Sequence, residues 1–300
     1  MPRILVFLSL AFVTLLAGQA TKSVTPIRPP KVYISVDMEG INGVVAPDQL
    51  SAQGGEYNRA RKLMVEEVNR AIEGAQAAGS TEILVNDAHG SQRNLLLEDL
   101  KPPARLVSNY FKAAGMMEGL DQSFACVIFI GYHARAGSPV GVQAHTGSGA
   151  LRDVLVNGAR VGEGGINILY AASLNVPVVL ITGDQEAIAQ ARELIPGLEA
   201  VEVKQAIGTR AAIFRPVEEV RAEIRQASER AVRNRSQTTM PTMKAPFTFE
   251  ITFSGTALAD VAAQVPTVKR AGSHTVSYVT DDYRAGYRLL RVLYRYMTAD

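Results

Sequence analysis

The 300-residue sequence contains no tryptophan, one cysteine and only four histidines. Without tryptophan, and with tyrosine and phenylalanine scattered along the chain, no platform for stacking nucleic-acid bases is indicated. Long basic runs are also absent, and the formal net charge is only +2. These absences argue against nucleic acid as a partner. An apolar content of 47% is nevertheless enough for one large domain or two modest ones.

The single cysteine, Cys126, excludes an internal disulfide and lies in FACVIFIG, a segment typical of a fully buried strand. No cationic residue beside it would favour the thiolate, so we expect a small core side chain and not a nucleophile. Three further catalytic signatures are missing: the H-E-x-x-H zinc motif, the G-x-S-x-G elbow and the nucleotide-binding P-loop.

A hydrophobic run, ILVFLSLAFVTLLAG, occupies residues 4–18. It is shorter than the roughly 20 residues that span a membrane, which disfavours the alternative of a membrane anchor. The small residues Gly18 and Ala20 stand where a signal peptidase would cleave. We therefore expect a signal peptide over 1–20, a linker over 21–30, and a secreted or periplasmic mature protein without membrane association.

Short apolar runs then alternate with amphipathic stretches, which is typical of a mainly parallel sheet covered by helices. The predicted strands are KVYISV, EILVND, ARLVSN, CVIFIGYH and VPVVLITGD. Helices are expected over about 56–78 and 165–173, and Asn157-Gly158 predicts a tight hairpin. The expected fold class is α/β, with a three-layer α/β/α core.

The pattern changes beyond about Gln205. A charged helix follows Pro216, the segment FTFEITF alternates strictly, and a last helix begins near Asp282. Strict alternation indicates an antiparallel sheet with one solvent-facing side. We therefore predict an α/β catalytic domain over 31–204 and a smaller C-terminal α+β domain over 205–300.

Ionisable residues gather at the carboxyl ends of the predicted strands, the edge at which open α/β sheets bind ligands. Asp37 and Glu39 follow KVYISV and would point to the same side of an extended chain. His89 follows EILVND, and His133 closes IGYH. The sequence thus brings two carboxylates and two imidazoles to one edge.

Two carboxylates held this close repel each other, and SVDMEG contains no Lys or Arg to compensate them. A metal cation would, and mixed imidazole and carboxylate ligands suit zinc better than magnesium or calcium. Glu163, flanked by glycines in VGEGG, is a fifth candidate ligand, and this number suggests two ions sharing a carboxylate. His145 lies in a Gly-rich segment that we interpret as a mobile active-site loop.

Each feature also has a purely structural interpretation. Asp37 and Glu39 could cap a turn, His89 could be a turn residue, and His133 a hydrogen-bonded structural one. Their joint placement at one edge is what favours a metal site. His274, in an alternating strand, is expected to be structural.

These motifs resemble those of the DppA-type D-aminopeptidases, zinc metallopeptidases associated with dipeptide operons. SVDMEGINGV, VNDAHG, GYHARAG, VGEGGIN, ITGD and VKQ occur in the family's order from about Lys31 to the C-terminus. The resemblance implies two zinc ions per subunit, held by Asp37, Glu39, His89, His133 and Glu163. Asp37 would bridge the ions, with Glu39 and His89 on one of them and the remaining two ligands on the other.

The resemblance also implies a catalytic role for His145, hydrolysis of short peptides with an N-terminal D-amino acid such as D-alanine, and a ring-shaped homo-oligomer. Two alternatives remain open: the same zinc chemistry on L-peptides or other small amides, and an extracytoplasmic peptide-binding protein. The acceptor for the substrate ammonium stays open. Lys204 and Arg210 are candidates for binding a peptide carboxylate, although solvated surface charges are the favoured interpretation.

Two features depart from the family pattern. The separation between His133 and His145 is one residue longer, and the signal segment places the protein outside the cytoplasm, unlike the family's familiar member. An extracytoplasmic location would suit D-Ala-containing peptides from cell-wall turnover.

Overall fold

The structure is a computed structural model that describes residues 1–2 and 29–295. Almost all of the predicted signal peptide and linker therefore lies outside the described residues. In the part that is described, no helix combines the length and the apolar character needed to cross a membrane.

The strands are β1 (Lys31–Val36), β2 (Glu82–Asp87), β3 (Arg105–Val107), β4 (Cys126–Tyr132), β5 (Leu151–Val156), β6 (Ala159–Arg160), β7 (Val178–Asp184), β8 (Glu199–Gly208), β9 (Ala211–Phe214), β10 (Phe247–Phe253), β11 (Lys269–Arg270) and β12 (Thr275–Thr280). The helices are α1 (Tyr57–Ala77), α2 (Glu163–Ser173), α3 (Gln185–Leu194), α4 (Val217–Arg233), α5 (Thr256–Ala262) and α6 (Tyr283–Arg295).

Seven strands form the main sheet in the order β3-β2-β1-β4-β7-β8-β9. Every neighbouring pair is parallel except β8 and β9, which are antiparallel. Neither β8 nor β9 was predicted from the sequence. In the centre, Ile34 of β1 lies opposite Val85 of β2 and Ile128 of β4. All residues of β4 and β7 are buried, because elements cover both faces of the sheet. Burial on both faces explains their continuous apolar sequences.

Alternate residues of β1 enter different layers. Val32, Ile34 and Val36 pack with α1 and α4, whereas Tyr33 packs in the cluster that includes α2, α3 and residues of the second sheet. This period of two is the geometry of an extended strand. The predicted α/β fold with a three-layer α/β/α core is confirmed.

The second sheet is antiparallel, with the order β11-β12-β10-β5-β6. In β10, buried Phe247, Phe249, Ile251 and Phe253 alternate with partly exposed residues, as FTFEITF predicts. Helices α5 and α6 pack against β10 and β12, and α6 also packs against α2. A smaller α+β lobe thus lies against the α2 layer of the main sheet.

The strands of this lobe come from both sides of the predicted domain boundary at 204/205. The β5–β6 hairpin precedes the boundary, and both Asn157 (φ 50°) and Gly158 (φ 79°) have the positive φ of a tight hairpin turn. Beyond the boundary, β9 pairs with β8 in the main sheet and α4 packs against α1. The division into two domains at this position stays a prediction. The β5–β6 hairpin was assigned to the first domain because its local sequence pattern does not specify which sheet it joins.

Candidate metal centre

The candidate ligands follow three neighbouring strands at the carboxyl edge of the main sheet. Asp37 directly follows β1, His89 follows β2 after one intervening residue, and His133 directly follows β4. Glu163 is the first residue of α2, and His145 lies in the connection from β4 to β5. Together with Glu39, these side chains meet at one edge, as the sequence predicts.

A glycine lets the loop after β1 lie directly on β4. The N–H of Gly40 donates to the carbonyl of Gly131 at 2.7 Å, and a Cβ at Gly40 would lie 2.0 Å from the carbonyl oxygen of Tyr132. Any larger residue would push the loop outward, and Asp37 and Glu39 with it.

Asp37 lies between two imidazoles. Its Oδ1 is 3.3 Å from His89 Nδ1, and its Oδ2 is 3.5 Å from His133 Nε2. His89 Nδ1 is also 2.9 Å from Glu39 Oε2, and His133 Nε2 is 3.2 Å from Glu163 Oε2. Two imidazole–carboxylate pairs therefore meet at Asp37, and each of its oxygens faces a different pair.

Each imidazole uses its other ring nitrogen on a backbone carbonyl. The nitrogen-to-oxygen distances are 2.8 Å from His89 Nε2 to Leu50, 2.9 Å from His133 Nδ1 to Ala134 and 2.8 Å from His145 Nδ1 to Gln143. A carbonyl accepts only, so these nitrogens carry a proton in either charge state. In the neutral imidazole the opposite nitrogen, which lies on the side of the carboxylates, is the one free to bind a cation. Metal-binding histidines are commonly oriented in this way.

The pKa values of three groups in the cluster are shifted far from their ordinary ranges. Burial raises the pKa of Glu39, but facing His89 outweighs this and holds that pKa well below its ordinary value. Burial lowers the pKa values of His89 and His133, but the facing carboxylates, foremost Glu39 and Glu163 respectively, hold both well above the ordinary range. The buried carboxylates of Asp37, Glu39 and Glu163 are thus stabilised by positive charge beside them.

The residues present fit a zinc centre. The potential ligand atoms of Asp37, Glu39 and His133 lie within 4.8 Å of one another, and so do those of His133, His145 and Glu163. Asp37 Oδ2 is buried, and no described residue donates a hydrogen bond to it, which is rare for a carboxylate oxygen. Imidazole nitrogen with carboxylate oxygen is a donor set that zinc prefers, and cations sharing Asp37 would suit metal-assisted hydrolysis.

His145 differs from the candidate ligands in its exposure. Its ring stacks on that of His133, with centroids 4.2 Å apart and planes inclined by 9°. Its Nε2 lies 3.5 Å from Glu163 Oε1, and its side chain is 31% exposed, against 9% for Glu163. The connection from β4 to β5 therefore places His145 at the cluster with part of its side chain open to solvent.

A cavity of about 230 Å³ opens beside the cluster. Its lining includes four of the five candidate ligands and His145, but not His133. Gln92 and three residues of α6, Arg291, Tyr294 and Arg295, line it as well. None of these four residues was predicted from the sequence. The basic, amphipathic pattern of α6 identifies a surface helix, but only the packing of α6 against α2 brings its basic residues to the sheet edge.

Lys204 is not a surface charge. Its side chain is fully buried, and Nζ donates to the carbonyls of Glu39, Ile41 and Val44 at 2.6, 2.9 and 2.5 Å. Burial lowers its pKa to about 8. The expectation of a solvated Lys204 is wrong, and its three donors are already engaged, so it does not serve a peptide carboxylate. Arg210 is exposed, as expected, and does not line the cavity.

We expect Lys204→Met to lower the free energy of unfolding by about 3 kcal/mol or more, because three buried carbonyls would lose a charged donor. Urea denaturation of the purified variant measures this change. Lys62→Met, at an exposed position of α1, is the matched control and should shift stability by less than about 0.5 kcal/mol. Equal stability of the two variants would contradict a stabilising role of the hydrogen bonds from Lys204 to the loop after β1.

Cys126 and His274, which were expected to have structural roles, lie away from the cluster. Cys126 is buried in β4, and burial raises the pKa of its thiol to about 12, which agrees with an inert core side chain. His274 lies just before β12, contacts Ser273 and does not line the cavity.

Comparison with known proteins agrees with this geometry. The family model of the D-aminopeptidases, peptidase family M55, matches residues 31–292. A D-aminopeptidase of Bacillus subtilis (strain 168) is 36% identical over 266 residues, which cover 88% of this chain and 96% of the relative. A solved structure, described as the zinc-dependent D-aminopeptidase DppA from Bacillus subtilis, a self-compartmentalizing protease, aligns with a TM-score of 0.85. It is 34% identical, and the alignment covers 88% of this chain and 96% of that one.

Proposed function

Because this chain belongs to the D-aminopeptidase family and is therefore a peptide hydrolase, we propose that it removes the N-terminal residue from short peptides that begin with a D-amino acid such as D-alanine. The observation that carries this proposal is the position of Asp37, whose two oxygens face His89 and His133 in separate pairs. Such an arrangement suits a carboxylate shared by two cations.

In this proposal Asp37 would be a ligand common to two zinc ions. Glu39 and His89 would hold one ion, and His133 and Glu163 would hold the other. Zinc supplies a Lewis acid for the scissile carbonyl and lowers the pKa of a bound water toward about 7. The backbone carbonyls that accept from His89 Nε2 and His133 Nδ1 fix the orientation of both rings, so that the opposite ring nitrogens would be the metal ligands.

His145 moves the proton in this proposal. Its Nδ1–H is held by the carbonyl of Gln143, so Nε2 is the atom that binds or releases a proton beside Glu163. A proton on Nε2 can hydrogen-bond the developing oxyanion or pass to the leaving amine. The exposure of His145 allows its proton to be replaced from solvent.

We also propose a closed homo-oligomer, as the description of the Bacillus subtilis relative as self-compartmentalizing suggests. The β8–β9 hairpin at the edge of the main sheet exposes Ile207, Ile213 and Phe214, which a second subunit could cover.

Export through the N-terminal segment would give the enzyme access to D-Ala-containing peptides from cell-wall turnover. Fusion of residues 1–25 to a reporter protein tests this export. A reporter that stays in the cytoplasm would contradict it.

Parallel assays of alanine release from D-Ala-D-Ala and L-Ala-L-Ala by the zinc-loaded protein test the function. We expect release from the D-peptide and at least about tenfold less from the L-peptide, a difference of about 1.4 kcal/mol in transition-state binding. Release from the L-peptide alone would keep the zinc chemistry and overturn the stereochemistry. Binding without release from either would favour a peptide-binding protein.

A further inference from the structure

Gln92 has hydrogen-bonding capacity that the metal centre does not use. Its side chain lines the cavity and is only 5% exposed, yet no described residue pairs with its Oε1. The backbone is fixed, because its N–H donates to the carbonyl of His89 at 2.7 Å. A buried amide without a partner is costly, so a ligand group in the cavity is the natural partner.

Arg295 lies beside the same turn. Its Nη2 donates to the carbonyl of Gly90 at 2.7 Å, and its guanidinium lies over the ring of Tyr110, 5.1 Å from the centroid. Stacking on a ring fixes the plane of the guanidinium and leaves its edge open to a ligand. A guanidinium has five N–H donors, and Gly90 is the one acceptor identified for it among residues 29–295.

The two sides of the cavity therefore differ in charge. The metal centre contributes carboxylates and imidazoles, and α6 contributes Arg295 together with buried Arg291, which donates to the carbonyls of Lys112 and Ala113. The volume of about 230 Å³ is below the roughly 300 Å³ at which pockets for drug-sized ligands begin. A small ligand that carries both an ammonium and a carboxylate matches this cavity.

We propose that Arg295 and Gln92 form a subsite for the free C-terminal carboxylate of a short peptide. Arg295 donates two parallel N–H bonds to the carboxylate. Rotation of the Gln92 amide by 180° places its NH2 where Oε1 lies, and this NH2 donates a third hydrogen bond. In a dipeptide the carboxylate follows the scissile bond by one residue, or about 3.5 Å of chain, so both fit one cavity. This subsite rests on the proposed peptidase function, and it makes the enzyme recognise its substrate by both ends.

Calorimetric titration of zinc-loaded His145→Ala protein with D-Ala-D-Ala and with its C-terminal amide tests the subsite by binding alone. We expect the acid to bind roughly 10- to 100-fold more tightly than the amide, as is typical of charge-assisted hydrogen bonds. Arg295→Gln in this background should abolish the preference, and Arg295→Lys should lose most of it while keeping the charge. Gln92→Leu should reduce it by roughly fivefold.

The matched control is Arg288→Gln, which removes a positive charge from an exposed position of α6 and should leave the preference intact. Zinc content, measured on every variant, separates loss of the subsite from loss of the metals. Equal affinity for acid and amide, no binding of either, or a preference that survives Arg295→Gln would overturn the subsite. Preferential binding of the acid by a wild-type protein that releases no alanine would overturn the proposed function and support the subsite.

Discussion

Asp37→Ala should yield a folded protein that binds neither zinc ion and releases no measurable alanine. Asp37 is the residue that both imidazole–carboxylate pairs share, so in the proposed two-zinc centre its removal would take a ligand from each ion at once. We expect kcat/KM to fall at least roughly a thousandfold, equivalent to about 4 kcal/mol of transition-state stabilisation. Zinc per subunit, measured by mass spectrometry, and alanine release are the two readouts.

Two companion variants sharpen the Asp37 result. Asp37→Asn keeps an acceptor for the N–H of Met38, which now donates to Oδ1 at 2.9 Å, and removes only the charge. It should lose zinc almost as completely as the alanine variant. Asp281→Ala, an exposed aspartate, is the control and should keep both metals and full activity. A zinc-loaded, active Asp37→Ala protein would contradict the shared-carboxylate centre.

His145→Ala should keep two zinc ions and lose turnover. We expect kcat to fall roughly 100- to 10,000-fold, the range typical of a lost general acid or base, with little change in KM. His145→Phe is the more stringent variant, because a phenyl ring can preserve the stack on His133 but carries no proton. Normal kcat in either variant would refute the proton-transfer role, and loss of one zinc would show that His145 is itself a ligand.

The sequence was sufficient to predict the residues at the strand ends. Asp37, His89 and His133 each follow a strongly apolar strand, and parallel strands place their carboxyl ends at one edge whatever their order. Glu163 could be predicted because glycines flank it at the start of a helix. These predictions required only local patterns and one topological rule.

Other features depend on contacts between distant segments and could not be predicted. The buried position of Lys204 requires three carbonyls of the loop after β1 to converge on one amine. The position of Arg295 depends on how α6 packs against α2. The β5–β6 hairpin was recognised from Asn157-Gly158, but its pairing with β10 spans many intervening residues and has no local signal.

The divided origin of the second sheet has a consequence for the order in which the protein is made. When β5 leaves the ribosome, its partner β10 is still unsynthesised, because residues 157–246 lie between them. The edge of β5 must wait unpaired, a state that favours aggregation and recruits chaperones. Helix α6, which contributes Arg291 and Arg295 to the cavity, is the last described element to emerge. The cavity beside the cluster is therefore complete only after α6 has been synthesised and has packed against α2.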